Sequence, residues 1–309
     1  MIQVIQADLS KLGLQHQEQE QVLKAEDFRD QQSPIDSIRV VTRKAFKTAE
    51  TKRLQSLFIP VINSRQKEIS PDTLSQVMVA EARRHLSLNL SIRDITFALA
   101  DEAGVQAFQG VIERKKIVCL GDSITYGYPD GPDYSWVKVV AEATGCRLIN
   151  RGINGETTGQ MLARFASDVV AENPAYVIFA GGHNDGWMGI AIREAENNIR
   201  QVVELALQQG ICPILVLPSP LNIEQLLQNF QGTREDAEKY NHSLQQIRKW
   251  IAQYAADNEL FTLDYYLPLL DSTGQGMPRL LLDGGHPSHE GYRVLGEAAI
   301  QQLQGRLHM

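Results

Sequence analysis

From Lys116 to Gln304 the chain alternates short apolar runs with helical patterns, and that alternation constrains the fold more than any other feature of the sequence. Residues 116–120 read as a buried strand running into a glycine. Residues 136–144 read as a helix and 147–150 as a short strand. A helix over 157–170 carries Met161, Leu162, Phe165 and Val169 on one face. Then come a strand at 176–180, a helix at 190–209 closed by Gly210, and a strand at 214–217 stopped by Pro218. A helix at 234–257, a strand at 261–263 and a helix at 288–304 complete the series. Strands that alternate with helices predict an α/β domain, with a parallel five-stranded sheet covered on both faces. Right-handed crossovers make it doubly wound. Ligands on such sheets bind at the carboxyl ends of the strands, near the point where strand order reverses. Residues that do chemistry are therefore expected just after the strands.

Candidates stand there. Gly121-Asp122-Ser123-Ile124 follows the first strand, where a serine opening into a helix exposes its hydroxyl to the crevice. A neutral hydroxyl needs a base and an oxyanion stabiliser to act as a nucleophile. The base candidate is His286 in Asp283-Gly-Gly-His286-Pro. An Asp three residues earlier on a glycine-rich turn can reach the ring's Nδ1, fix the tautomer and leave Nε2 free to take a proton. Of seven histidines, only His286 has an Asp at this offset on such a turn. His289 raises the competing idea of a His-x-x-His metal site, but no ligand cluster of metal-site spacing accompanies it. Two more elements follow strands. Asn150-Arg-Gly-Ile-Asn154-Gly155 offers a backbone N–H unobstructed by a side chain, with Gly152 and Gly159 as neighbouring alternatives. Gly181-Gly182-His183-Asn184-Asp185 offers a side-chain amide. With the N–H of Ser123 these make three donors from three strand ends, a set suited to a tetrahedral oxyanion.

These four blocks, in this order, resemble the SGNH hydrolases, the GDSL family of esterases and lipases. The match lies in Gly121-Asp122-Ser123, Gly155, Gly182-His183-Asn184-Asp185 and Asp283 to Pro287, within residues 116–309. The resemblance implies a flavodoxin-like fold, Ser123 as nucleophile, His286 as base and Asp283 as the residue that orients it. It further implies an oxyanion hole from the N–H groups of Ser123 and Gly155 and the side chain of Asn184. The expected reaction is hydrolysis of a carboxylic ester, short acyl or acetyl, through an acyl-enzyme, with a small-molecule ester as partner and neither cofactor nor metal. The same triad can instead pass the acyl group to an acceptor alcohol. Three other site motifs are absent. Thr125 stands where the Gly-x-Ser-x-Gly elbow needs its second glycine. There is no Gly-Lys-Ser/Thr of a P-loop, and Gly152, Gly155 and Gly159 do not form the dinucleotide fingerprint. Asp122 and Asp185 read as loop braces. Tyr126, Tyr128 and Trp136 are candidates for an acyl pocket or for the core, and residues 219–233 for a lid or an ordinary helix.

Residues 1–115 read as a separate accessory region, mostly helical. They hold 16 Lys+Arg against 15 Asp+Glu and only three of the 23 glycines, whereas residues 116–309 hold 14 against 22. Ser70-Pro71-Asp72 announces a helix start, with Leu74, Val77, Met78 and Ala82 at helical spacing. Ser91 is a candidate cap for a helix carrying Ile92, Ile95 and Leu99 and ending at Gly104. Residues 38–42 and 57–62 have strand character. A helix-turn-helix flavour around 101–105 leaves open a ligand-sensing protein whose first region reads DNA or a partner. The plainer reading is a helical cap or a self-association element. The chain's net charge of −7 argues against nucleic acid. No apolar run reaches membrane-spanning length. Residues 1–20 lack a secretory apolar core, and Cys119, Cys146 and Cys212 read as buried thiols. A cytoplasmic setting is therefore expected.

Overall fold

The computed structural model describes residues 1–7, 34–61 and 69–308. They belong to two compact units: Met1–Arg114 with Leu205–Cys212 and Gly305–Met309, and Lys115–Glu204 with Pro213–Gln304.

In the first unit, β1 (Ile2–Gln6), β2 (Ser56–Pro60) and β3 (Asp94–Leu99) form a parallel sheet with β3 in the middle. Helices α1 (Pro34–Thr51), α2 (Pro71–Ser87) and α3 (Glu102–Ile112) supply most of the regular structure. Ser70 caps α2 by accepting the Thr73 N–H at 3.1 Å, with Pro71 and Asp72 in the first turn. The core gathers Phe46, Leu57, Val77, Leu86, Phe97 and Phe108. Buried Glu81 accepts from Arg43 at 2.9 and 3.0 Å and from Arg84 at 2.6 Å, which compensates the burial of its charge.

Residues 38–42 lie inside α1, because Ile38, Val41, Ala45 and Phe46 continue the buried face at helical spacing. The helix expected from Ser91 is instead strand β3, with Ile95 and Phe97 buried and Asp94 and Thr96 turned outward. An apolar run this short fits either period. Gly104 sits in the first turn of α3 and ends nothing. Asp101 accepts its N–H at 2.7 Å, and a Cβ on Gly104 would meet Leu99 Cδ2 at 2.5 Å. With a strand upstream of α3, no helix-turn-helix forms around 101–105. Strand β1 has no counterpart in the sequence reading. The strand expected over 57–62 overlaps β2, and its Ile62 lies outside the described residues, as do residues 8–20 of the N-terminal stretch.

In the second unit, β4 (Lys116–Gly121), β5 (Arg147–Gly152), β6 (Tyr176–Ala180), β7 (Cys212–Leu217) and β8 (Thr262–Asp264) form the expected five-stranded parallel sheet, in the order β5-β4-β6-β7-β8. Strand order reverses between β4 and β6, so the crevice for ligands opens where these two strands end. The central strands β4, β6 and β7 read as buried apolar runs because helices cover both faces; β6 is buried throughout, whereas edge strand β5 is only half-buried. Trp136 is 0% exposed and meets Tyr265 edge-on at 5.3 Å, so it belongs to the core rather than to an acyl pocket.

The connecting helices are α4 (Ser123–Tyr126), α5 (Trp136–Thr144), α6 (Thr158–Ala163), α7 (Phe165–Asp168), α8 (His183–Trp187), α9 (Ile192–Gln208), α10 (Ile223–Asn229), α11 (Arg234–Asp257) and α12 (His289–Leu303). The single helix expected over 157–170 is broken into α6 and α7 at Arg164, whose backbone leaves helical geometry at φ −100° and ψ 8°. Residues 219–233 contain α10, capped by Asn222, which accepts the Gln225 N–H at 3.0 Å. All three cysteines are free; Cys119 and Cys212 are buried, but Cys146 is only half-buried. Among the described residues no helix is long and apolar enough to cross a membrane.

Candidate active site

Ser123 is the first residue of α4, directly beyond β4. Its preceding neighbour Asp122 is the cap, accepting the Ile124 N–H at 2.9 Å. Burial pushes the Asp122 carboxyl up to about 7, against the pull of that bond. Asp185 braces a second strand end. It is buried and accepts from the Thr158 N–H at 2.9 Å and the Thr158 hydroxyl at 2.5 Å, which ties α8 to the start of α6.

His286 arrives from the turn before α12. Its Nδ1 lies 2.7 Å from Asp283 Oδ2 and its Nε2 lies 2.9 Å from Ser123 Oγ. Burial opposes ionisation of Asp283. The hydrogen bond and charge of His286 outweigh it, together with the N–H groups of His286 and Gly285 on Oδ1 at 2.8 and 3.0 Å, and hold the carboxyl below its ordinary range. An ionised carboxylate only accepts, so Nδ1 carries the ring proton and Nε2 is left to accept from the serine hydroxyl. Tyr128 packs on the imidazole with ring centres 4.5 Å apart. Tyr292, buried behind it, donates to the carbonyl of Tyr128 at 3.0 Å. His289, the alternative metal ligand, instead bonds Asp130 at 2.6 Å and stacks on Tyr134. Among the described residues no group of three or more His, Cys, Asp or Glu is arranged to hold a metal ion.

The candidate donors come from the neighbouring strand ends. Asn184, in the first turn of α8, donates one Nδ2 hydrogen to the Glu156 carbonyl at 2.9 Å, leaving the other available. Of the three glycines near β5, Gly152 already donates its N–H to Asn150 Oδ1 at 2.9 Å, and a Cβ there would stand 2.1 Å from the Tyr126 nitrogen, so it lets β5 pass close under α4. Gly159 lies within α6. Gly155 takes φ +81° with nothing within 4 Å of a Cβ position, an open left-handed turn.

Ser123, Asn184 and His286 share a cavity of about 140 Å³, completed by His183, Trp187, Leu226, Phe230 and Tyr240 among others; Gly155 is not in its lining. Trp187, Leu226, Phe230 and Tyr240 also line a second cavity of about 390 Å³. Sequence reasoning missed these wall residues except for naming 219–233. The available signal was the run of apolar residues in that segment and Trp187 two residues beyond Asp185. The sequence assigns His183 no role within its block. It is buried, with Nδ1 2.8 Å from the Tyr240 hydroxyl and Nε2 3.0 Å from Ser219 Oγ. Burial, Arg248 and His286 push its pKa down to about 3. Below pH ~6.5 the unfolded chain binds a proton at His183 that the folded chain refuses. The stability His183 contributes is therefore complete above that pH and lost as pH falls towards about 3. In denaturant titrations, His183→Gln is expected to flatten the acid-side slope by up to about 1.4 kcal/mol per pH unit; an unchanged slope would exclude this account.

Residues 119–294 match the GDSL-like Lipase/Acylhydrolase family. The chain therefore belongs to that family and is a carboxylic ester hydrolase. It is 23% identical over 190 residues to the thioesterase 1/protease 1/lysophospholipase L1 of Escherichia coli (strain K12), covering 61% of this chain and 83% of that one. It is 25% identical over 222 residues to an acetylxylan esterase of Geobacillus stearothermophilus, covering 61% and 94%. A solved GDSL-like lipase from Bacteroides thetaiotaomicron VPI-5482 superposes with a TM-score of 0.52 at 28% identity, over 62% of this chain and 89% of that one.

Proposed function

We propose that residues 116–309 hydrolyse a short-acyl ester through an acyl-enzyme on Ser123, with residues 1–115 as an accessory region. The observation that carries this reading is the unbroken hydrogen-bond chain from Ser123 Oγ through His286 to Asp283, at 2.9 and 2.7 Å. Ser123 Oγ adds to the ester carbonyl as its proton passes to His286 Nε2. The imidazolium is stabilised by Asp283, and the oxyanion by the N–H groups of Ser123 and Gly155 and the side chain of Asn184. Collapse breaks the ester C–O bond, and His286 returns the proton to the departing alkoxide. Water, deprotonated by the same imidazole, then releases the carboxylic acid and regenerates Ser123.

The space beside Ser123, about 140 Å³, is below the usual range of ligand clefts and suits a short acyl group. The alcohol part takes the wider cavity beyond Trp187 and Phe230. With the full chain and p-nitrophenyl esters, kcat/KM is expected to be highest for acetate to butyrate. Octanoate should be at least about tenfold worse, since a group too large for an apolar chamber costs on the order of 1–3 kcal/mol. A profile that rises to dodecanoate would overturn the short-acyl assignment without touching the triad. Product analysis with added sugar alcohols separates hydrolysis from transfer: free acid as the dominant product is the expected result.

A further inference from the structure

Arg164, at the break between α6 and α7, is not among the four sequence blocks and does not line the cavity beside Ser123. Its guanidinium is nevertheless bonded on every side. Nη2 donates to the carbonyl of Gly121 at 3.1 Å and to that of Arg151 at 2.9 Å. Nε donates to Glu156 Oε2 at 2.6 Å, and Nη1 to Asp168 Oδ2 at 2.7 Å. The side chain is 13% exposed.

Each of the first three partners belongs to a strand end or turn that carries a proposed oxyanion donor. Gly121 is the last residue of β4, two before Ser123, and its carbonyl also accepts the Ile153 N–H at 3.0 Å. Arg151 and Glu156 bracket the turn that contains Gly155. Glu156 in addition presents the carbonyl that holds the Asn184 amide at 2.9 Å. A planar guanidinium with fixed donor directions is suited to holding several acceptors in one frame, which an ammonium cannot do.

We propose that Arg164 is a positioning residue of the oxyanion hole, fixing the ends of β4 and β5 and the Glu156 carbonyl so that the donors of Ser123, Gly155 and Asn184 converge on one point. This rests on the serine-hydrolase reading above. Arg164 touches neither substrate nor reacting atoms; it acts through the backbone it holds. Its cost when lost falls on the transition state, where the oxyanion develops, and not on ground-state binding. Misplacing reacting groups by about 1 Å can cost on the order of 10²-fold.

The test uses full-length Arg164→Lys, which keeps a charge for Glu156 and Asp168 but not the planar fork, and Glu156→Gln, which weakens one arm only. Three quantities are read on each: kcat and KM for a short p-nitrophenyl ester, inhibition by butylboronic acid, and inhibition by butyrate. The boronic acid forms a tetrahedral adduct on the serine, whereas butyrate is a ground-state ligand. Expected for Arg164→Lys is a fall in kcat of roughly 10²-fold with boronate affinity falling by a similar factor. KM, butyrate affinity and the midpoint of the pH profile should stay within about threefold, as a positioning role requires. Glu156→Gln should show the same pattern at a smaller, roughly 3–10-fold level, one arm of the frame being weakened. A folded variant of either kind with kcat and boronate affinity within twofold of the parent overturns the proposal, as does equal loss of boronate and butyrate binding. Failure of both variants to fold assigns Arg164 to stability and also overturns it. If the parent protein itself resists the boronic acid, or Ser123→Ala still turns over ester, the serine reading fails first, and the two failures are distinguishable.

Discussion

Replacing Ser123 with alanine is expected to lower ester turnover by roughly 10⁴-fold or more while leaving the melting transition within a few degrees of the parent. The size of the first effect follows from the geometry. Ser123 Oγ is the only hydroxyl within hydrogen-bonding distance of His286 Nε2 among the described residues, at 2.9 Å. Without it, the imidazole has no nucleophile to deprotonate, and residual catalysis is left to water and to whatever the oxyanion donors stabilise. The small second effect follows from what Ser123 does for the fold. The start of α4 is held by Asp122 accepting the Ile124 N–H, and the site by backbone bonds of α4 such as the Gly127 N–H on the Ser123 carbonyl at 3.0 Å, none of which uses the hydroxyl. Losing one partly buried hydrogen bond costs about 1 kcal/mol. KM should change little, because the proposed function puts ground-state contacts in the walls of the cavity. The assay is single-turnover and steady-state kinetics on an aryl ester, with circular dichroism as the folding control. Turnover within tenfold of the parent would remove Ser123 from the reaction.

What the sequence made legible was the part governed by local and periodic rules. Strands β4, β6 and β7 are apolar runs too short for helices and punctuated by Gly121, Pro218 and their like, and β5 and β8 fall between helical patterns, so their positions were readable to within two residues or so. The placement of Ser123 and Asn184 followed from the sheet's topology, because residues after β4 and β6 must face the switch point. Asp283 and His286 were readable as a pair since three residues on a Gly-Gly turn confine them. The illegible parts depend on contacts distant in sequence. Whether residues 92–99 form a helix or a strand turned on β1 and β2 pairing alongside, which no local period reports. The helix at 157–170 breaks at Arg164, whose bonds reach Gly121, 43 residues away. Trp187, Phe230 and Tyr240 converge on the cavity from α8, from the residue after α10 and from α11, and apolar residues in each would equally have suited the core. His183 is the plainest case. A histidine in a strand-end block invites a chemical role, yet its two ring nitrogens bond Tyr240 and Ser219.

Asp283→Asn is expected to reduce kcat by about 10⁴-fold near neutral pH with little change in KM, the loss that the same change causes in Ser-His-Asp enzymes. The amide keeps the shape, and its oxygen can still accept the N–H groups of Gly285 and His286 that Asp283 Oδ1 accepts at 3.0 and 2.8 Å. The loss is at the other atom. Asp283 Oδ2 accepts from His286 Nδ1 at 2.7 Å, and an amide nitrogen there donates instead. Nδ1 must then accept, the ring proton moves to Nε2, and the base facing Ser123 is gone. The pH dependence carries the sign. With its carboxyl held below the ordinary range, Asp283 favours the folded state fully above the unfolded chain's carboxyl pKa, and that advantage is lost as pH falls through the folded value. The asparagine variant lacks this acid-side loss, so its stability should fall less steeply below pH ~4 than the parent's. It should also recover part of its turnover at alkaline pH, where hydroxide can do the work of the missing base. Activity profiles from pH 6 to 10, paired with denaturant unfolding from pH 2.5 to 5, measure both. A variant with parental turnover at pH 7 would show that Asp283 does not set the tautomer of His286.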